Sequence, residues 1–159
     1  MILYHGSNIA VQEPQLNKGR KELDLGQGFY TTSDFEQAVS WARRTTRIRR
    51  SGQACVTSYA IDDSSLQTLS IHRFSEPDFA WLEYVTANRR GDPTKDEWDV
   101  VIGPVANDQT FPTILLYLDG FLDADAAIAR LLPQKLKDQY VFKTEKALAL
   151  LSCQEVLLV

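Results

Sequence analysis

Two short segments near the start of the chain carry residue types that can hold a nucleotide. They are Tyr4-His5-Gly6-Ser7 and Gly28-Phe29-Tyr30-Thr31. The first offers an imidazole, a glycine backbone that a ligand can approach closely and a hydroxyl, which suit a ribose and an amide. The second offers the face of Tyr30, on which a flat carboxamide ring such as nicotinamide can stack. Each segment alone also fits an ordinary strand histidine and an ordinary loop, but together they complement one ligand.

The elements that position these segments are short and change type often, so the periodicity predicts a mixed α/β domain with interleaved helices and strands. Residues 2–5 can form an opening strand that carries His5. The second segment reads as a glycine-rich turn that enters a helix. Ser33 and Glu36 have the spacing of a capping box, which predicts a helix from Ser33 to just before Ser51. Apolar residues at three- and four-residue spacing give that helix one buried stripe.

The rest of the chain continues this alternation. Residues 99–103 are β-branched and apolar, as in a central strand that is buried on both faces. A turn is predicted at residues 62–65, and a second helix start, with an early proline, at residues 75–78. Further strands are predicted at residues 55–61, 66–71, 140–142 and 156–159. Further helices are predicted at residues 79–90, 113–118, 126–132 and 144–151, the last capped by Thr144.

Composition sets the broad class. With 159 residues and 44% hydrophobic content, the chain fits one globular domain over residues 1–159. No apolar run spans a bilayer and no basic leader opens the chain, so we expect a cytoplasmic protein without membrane contact. The net charge of −4 gives no general attraction to nucleic acid. Cys55 and Cys153 lack metal-ligand spacing, so we expect two buried, reduced thiols and no metal.

A known family contains both segments in this order. The chain resembles the diphtheria-toxin-like and poly(ADP-ribose)-polymerase-like ADP-ribosyltransferases, in which a strand ending in His-Gly-Ser precedes a Gly-x-Gly-[Phe/Ile]-Tyr turn. It is more closely similar to a bacterial family of uncharacterised small proteins with this fold. That pattern extends through Thr32, through residues 99–108 (DVVIGPVAND) and through Gln139-Tyr140-Val141-Phe142, so it spans nearly the whole chain.

The resemblance implies an α+β fold with two split, mostly antiparallel sheets around an NAD cleft and flanking helices. His5 would bind ribose hydroxyls and Tyr30 would stack on nicotinamide, with NAD as substrate. The implied activity is mono-ADP-ribosylation of a macromolecular acceptor. Small bacterial enzymes of this kind are often toxins paired with a neutralising antitoxin protein, so such a partner is implied as well.

The third catalytic position of the wider superfamily is usually a glutamate on a late strand. Here the matching residue is Gln139, whose amide can orient the ribose but stabilises positive charge less well than a carboxylate. Losing one such contact typically costs about 10²–10³ in rate, so we expect slow transfer and no chain elongation. Glu155, near the end of the chain, is the second candidate for this role. Glu83, on a predicted helix face, is the third and fits a solvated residue better.

Two other functions are compatible with these residues. A catalytically silent relative would bind NAD, ADP-ribose or a protein in the same cleft. RNA 2′-phosphotransfer uses a related fold but needs more cleft histidines than His5 and His72 provide. The basic stretch from Arg43 to Arg50 opposes the negative end of a helix dipole. It could also contact NAD phosphates, nucleic acid or an acidic partner, and it is the one nucleic-acid contact that the sequence suggests.

Overall fold

The computed structural model describes residues 1–16, 23–92, 97–106 and 109–159. Asn107 and Asp108, which end the third family segment, lie outside these residues. The strands are β1 (Ile2–Ser7), β2 (Phe29–Thr31), β3 (Cys55–Ala60), β4 (Ile71–Arg73), β5 (Val100–Pro104), β6 (Asp138–Phe142) and β7 (Ser152–Leu158). The helices are α1 (Phe35–Arg49), α2 (Asp63–Leu66), α3 (Phe79–Arg89), α4 (Phe111–Leu118), α5 (Ala124–Leu131) and α6 (Glu145–Leu148), and a 3-10 turn follows α5 at Leu132–Gln134.

The strands form two sheets, and the fold is α+β as predicted. The first sheet has the order β1-β3-β7 and the second β2-β6-β5-β4. Every neighbouring pair is antiparallel except β4 and β5. The sheets meet where Tyr4 and Thr32 exchange two backbone hydrogen bonds of 2.8 and 3.0 Å. This single bridge places the His5 segment beside the Tyr30 segment.

Three apolar clusters hold the layers together. One lies between the sheets and joins Leu3 and Tyr59 of the first sheet to Phe29 and Phe142 of the second. Another lies on the other face of the second sheet, where Trp81 of α3 packs with residues of α4 and α5. The third packs α1 on the first sheet. The second sheet is therefore covered on both faces, which explains why β5 is buried along its whole length, as its sequence predicts.

Several sequence predictions are wrong in detail. The second segment is not a turn, because Phe29–Thr31 pairs with β6 as a strand. The turn at residues 62–65 and the strand at residues 66–71 are replaced by α2 and the later β4, because the amides of Ser65 and Leu66 both donate to the Asp62 carbonyl and close a helical turn. Cys55 is buried, but Cys153 is only half-buried.

Helix starts are also displaced from their predicted residues. The N-cap of α1 is Asp34, which accepts a 2.8 Å hydrogen bond from the Gln37 amide, while the Ser33 hydroxyl donates to Asp138 instead. In the same way α3 is capped by Asp78, with Pro77 before the helix. Thr144 caps α6 as predicted.

Candidate functional site

His5 lies on β1 and contacts the second sheet through its ring. Its Nδ1 is 2.7 Å from the backbone carbonyl oxygen of Tyr30. A carbonyl only accepts, so Nδ1 carries the proton, and Nε2 of the neutral ring keeps a lone pair. Nε2 forms no hydrogen bond within the described residues. The imidazole also stacks on Phe29, with ring centroids 4.5 Å apart. The hydrogen bond and the stacking contact thus fix the orientation of the His5 ring, and its Nε2 can accept a hydrogen bond from a ligand.

The surroundings of His5 favour the uncharged ring. Desolvation is the main cause that lowers its pKa below the ordinary value of 6.5. The Tyr30 carbonyl acts in the opposite direction, and the positive charge of Arg49 lowers the pKa further. His5 is therefore neutral near pH 7, in the form that can accept a hydrogen bond from a hydroxyl.

Tyr30 uses its hydroxyl inside the protein. The phenol donates to the Gly26 carbonyl at 2.6 Å and accepts from the Leu25 amide at 3.1 Å, closing the loop before β2. Burial, together with the negative charge of Asp24, raises the pKa of Tyr30 well above its ordinary value. The half-buried ring, rather than the hydroxyl, is the part of Tyr30 left to contact a ligand.

Gln139 lies on β6 with only 2% of its surface exposed. Its amide nitrogen donates to the Pro104 carbonyl at 3.4 Å, and the Trp81 indole donates to the same oxygen at 3.1 Å. Tyr30 pairs with Val141, two residues along from Gln139. Tyr30 and Gln139 are therefore diagonal neighbours on one face of the sheet, with Cβ atoms about 7–8 Å apart.

The structure does not bring all three predicted residues to one face. The Tyr30 ring packs in the cluster under the helices, whereas Phe29, on which His5 stacks, belongs to the core between the sheets. The rings of His5 and Tyr30 consequently lie on opposite sides of β2. Their contact passes through the backbone carbonyl of residue 30.

Close packing explains why glycine occupies position 6 of the first segment and position 28 of the second. A Cβ on Gly6 would lie 1.9 Å from the Ala38 carbonyl oxygen and 2.8 Å from the Ala42 nitrogen, so the close approach is by α1 rather than by a ligand. A Cβ on Gly28 would lie 2.6 Å from a methyl of Val141. Both glycines let neighbouring elements pack at backbone distance.

The other residues of the two segments support the framework. Ser7 and Thr31 are buried, and the Thr31 hydroxyl donates to the Tyr140 carbonyl at 3.2 Å. Tyr4 packs edge-on against Phe35 at the start of α1, with ring centroids 5.3 Å apart. These contacts fix the positions of the strands that carry His5 and Tyr30.

The two alternative carboxylates lie away from His5 and Tyr30. Glu155 pairs with Ser58, which pairs with Tyr4, so Glu155 faces the opposite side of the first sheet from His5. There it lines an open cavity of about 330 Å³ together with Ile2. Glu83 is exposed on α3, and its carboxylate accepts a hydrogen bond from the Tyr117 hydroxyl. Neither carboxylate completes a site with Tyr30.

Three charged side chains near the site, Asp24, Arg89 and Asp138, are not indicated by any pattern in the sequence. Asp24 and Arg89 form an ion pair with an Nε–Oδ1 distance of 2.5 Å beside Tyr30. Burial raises the pKa of Asp24 more than the arginine lowers it. The Asp138 carboxylate accepts from the amide and the hydroxyl of Ser33, at 3.0 and 2.7 Å, and ties the start of α1 to β6. These partners are far apart in sequence, and only folding brings them together.

Within the described residues, no group of three or more metal-ligating side chains occurs. No helix in the same part of the chain is long and apolar enough to cross a membrane. No curated protein and no solved structure matches the chain. One family profile, described as protein of unknown function (DUF3990), matches residues 1–153. The chain therefore belongs to the DUF3990 family.

Proposed function

We propose that this protein is an NAD-dependent mono-ADP-ribosyltransferase. The observation that carries the proposal is the His5 contact at the junction of the sheets. The neutral imidazole donates through Nδ1 to the Tyr30 carbonyl and keeps Nε2 free to accept a hydrogen bond from a ribose hydroxyl. The two separate, mostly antiparallel sheets are compatible with the sheets that the resemblance implies.

In this proposal, the bond between nicotinamide and its ribose breaks and the bonding electron pair leaves with nicotinamide, which becomes neutral. The acceptor forms the new bond to the same ribose carbon and loses its proton to solvent. His5 holds the dinucleotide through a ribose hydroxyl on one side of β2, which is the edge strand of the second sheet. The Tyr30 ring contacts nicotinamide and the Gln139 amide orients its ribose on the other side of β2, so the proposal requires NAD to extend around this edge. Because the Gln139 amide is neutral, the transfer is slow compared with an enzyme that has a carboxylate there.

A second candidate function is binding of NAD or ADP-ribose without chemistry. The specific observation in its favour is that Gln139 is buried, uncharged and already donates to Pro104. Reaching a ribose would require Gln139 to give up that 3.4 Å hydrogen bond. The two candidates share the His5 contact and differ in whether nicotinamide is released.

The deciding experiment incubates the purified protein with NAD labelled in the nicotinamide ring and measures released nicotinamide, with calorimetry for binding. We expect slow release that falls at least tenfold in His5→Ala and in Gln139→Ala. His72→Ala, Glu83→Ala and Glu155→Ala serve as controls that keep the activity. Binding without release would favour the silent module, and absence of NAD binding would overturn both.

The macromolecular acceptor and a small antitoxin protein remain part of the proposal, which places the protein in the cytoplasm with the NAD pool. Expression in a bacterial host tests this directly. Wild type should lower cellular NAD or leave ADP-ribosylated macromolecules, and His5→Ala should do neither. Unchanged NAD and unmodified macromolecules with wild type would count against a toxin.

A further inference from the structure

The outer side of α1 carries a row of exposed arginines. Arg43, Arg47 and Arg50 follow one another at spacings of four and three residues, so they form one stripe, which we call the arginine face. All three are exposed, and none forms an ion pair or a side-chain hydrogen bond within the described part of the chain. Arg49 is exposed as well, but it donates a hydrogen bond to the Asn8 side chain at 2.9 Å.

Two apolar side chains lie at one edge of the same exposed side of α1. Trp41 and Ile48 are seven residues apart and so share one side of the helix, about 100° around its axis from Arg47. Trp41 is half-buried, and Ile48 is 63% exposed. Tryptophan and arginine are also the residue types most enriched at the centres of protein interfaces.

Arg50 occupies a backbone position that arginine disfavours. It ends α1 in the left-handed conformation, with φ 51° and ψ 35°, where glycine or asparagine is usual. The side chain of Arg50 therefore extends the arginine face at a cost in backbone strain. Non-glycine residues in this conformation often mark functional surfaces.

We propose that this side of α1 binds an acidic amphipathic helix of another protein. Carboxylates four residues apart on a helix are about 6 Å apart along its axis, which equals the separation of Arg43 and Arg47. Arginine pairs with carboxylates through two parallel hydrogen bonds. Apolar residues on the partner helix would cover Trp41 and Ile48. This surface faces away from β1 and from His5, so the inference is independent of the NAD site.

Charge favours a protein partner over nucleic acid. The whole protein carries a net charge of −4, which repels a long polyanion, while a short acidic helix meets only the local arginines. A phosphate backbone would also leave Ile48 uncovered, because phosphate contacts are made by charged and polar groups.

The test uses fluorescence anisotropy with a labelled helical peptide that carries Glu at i and i+4 and Leu on the adjoining stripe. Controls are a peptide of the same composition in scrambled order, and a duplex DNA and a single-stranded RNA of equal charge. The ordered peptide should bind at least tenfold more tightly than the scrambled one. The double variant Arg43→Glu/Arg47→Glu should lose this binding. A peptide with Lys in place of each Glu should bind the double variant. Arg130→Glu, which reverses an exposed arginine on α5, should leave binding unchanged.

Ile48→Ser separates the two kinds of partner. It should weaken binding of the ordered peptide at least fivefold without changing the salt dependence of binding, since it removes only an apolar contact. Thermal melting of each variant verifies that α1 is folded. If the ordered peptide binds no better than the scrambled one, the proposal is wrong. Tighter binding of DNA or RNA that is insensitive to Ile48→Ser would assign the surface to nucleic acid instead.

Discussion

Gly6 offers the sharpest test of how the first segment is built. If its role is to admit α1, then Gly6→Ala must damage the fold itself. If its role is to admit a ligand, the same change must damage binding and leave the fold intact. The structure favours the first outcome, because the added Cβ would lie 1.9 Å from the Ala38 carbonyl oxygen and 2.8 Å from the Ala42 nitrogen.

The size of the effect follows from these distances. Both clashing atoms belong to the backbone of α1, so no side-chain rotation relieves the overlap. The helix must move away by about 1 Å or more, which loosens the buried contacts of Ala38 and Ala42, and overpacking of this kind costs about 1–3 kcal/mol or more. Alanine regains about 0.5–1 kcal/mol over glycine within a strand. Because both clashing atoms are backbone atoms, the upper end of this cost applies, and after the gain from alanine we expect Gly6→Ala to lower the free energy of unfolding by about 2 kcal/mol or more.

Equilibrium unfolding in urea measures this loss. The matched control is Gly103→Ala on β5, where the new Cβ would lie 3.3 Å or more from side-chain atoms of Phe74 and Trp81. That control should change the free energy of unfolding by less than about 1 kcal/mol, because the neighbours need to shift only slightly. If Gly6→Ala proves as stable as Gly103→Ala, then α1 does not approach β1 this closely. Loss of NAD binding in such a stable variant would return Gly6 to a ligand role.

Two further predictions concern a titrating group and a strained residue. Because the pKa of His5 is lowered in the folded state, its contribution to stability is complete above pH 6.5 and declines as the pH falls from there towards the folded pKa, by about 1.4 kcal/mol per pH unit. Urea unfolding between pH 7.5 and 5 should show this decline in wild type and a smaller one in His5→Gln, and equal slopes would contradict the buried, neutral ring. Arg50→Gly should raise the free energy of unfolding by about 0.5–1 kcal/mol, since glycine adopts the left-handed conformation without strain. Arg50→Ala should bring no such gain in thermal melting, and equal stability of the two variants would refute a strained cap.

The sequence predicts best where one local pattern decides the structure. Residues 99–103 contain no polar side chain between Val100 and Ile102, which makes this segment the best candidate for a strand buried on both faces, and β5 is such a strand. Thr144 has no competitor for the start of α6 and caps it as predicted. In both cases the determining residues are neighbours in sequence.

The predictions fail where a distant partner decides. Ser33 and Asp34 can each cap a helix, and Asp138, about a hundred residues later, takes the Ser33 hydroxyl and leaves the cap to Asp34. The three residues of β2 are too few to show any periodicity, and they form a strand because β6 pairs with them. The residues next to Ser33 and next to β2 in the sequence do not indicate that Asp138 and β6 are their partners.

Sequence-based prediction is limited in the same way at the candidate site. His5 and Tyr30 were expected to face one ligand, yet the alternation of side chains along β2 sends Phe29 to one side and Tyr30 to the other. His5 contacts the Phe29 ring and the residue 30 carbonyl, a group that every amino acid supplies. The need for tyrosine at position 30 must therefore come from its side chain, whose hydroxyl closes the loop at Leu25 and Gly26 and leaves only the ring for nicotinamide. It follows that Tyr30→Phe should loosen this loop while keeping the His5 contact and the aromatic face, so the two motifs can be separated experimentally although they lie side by side.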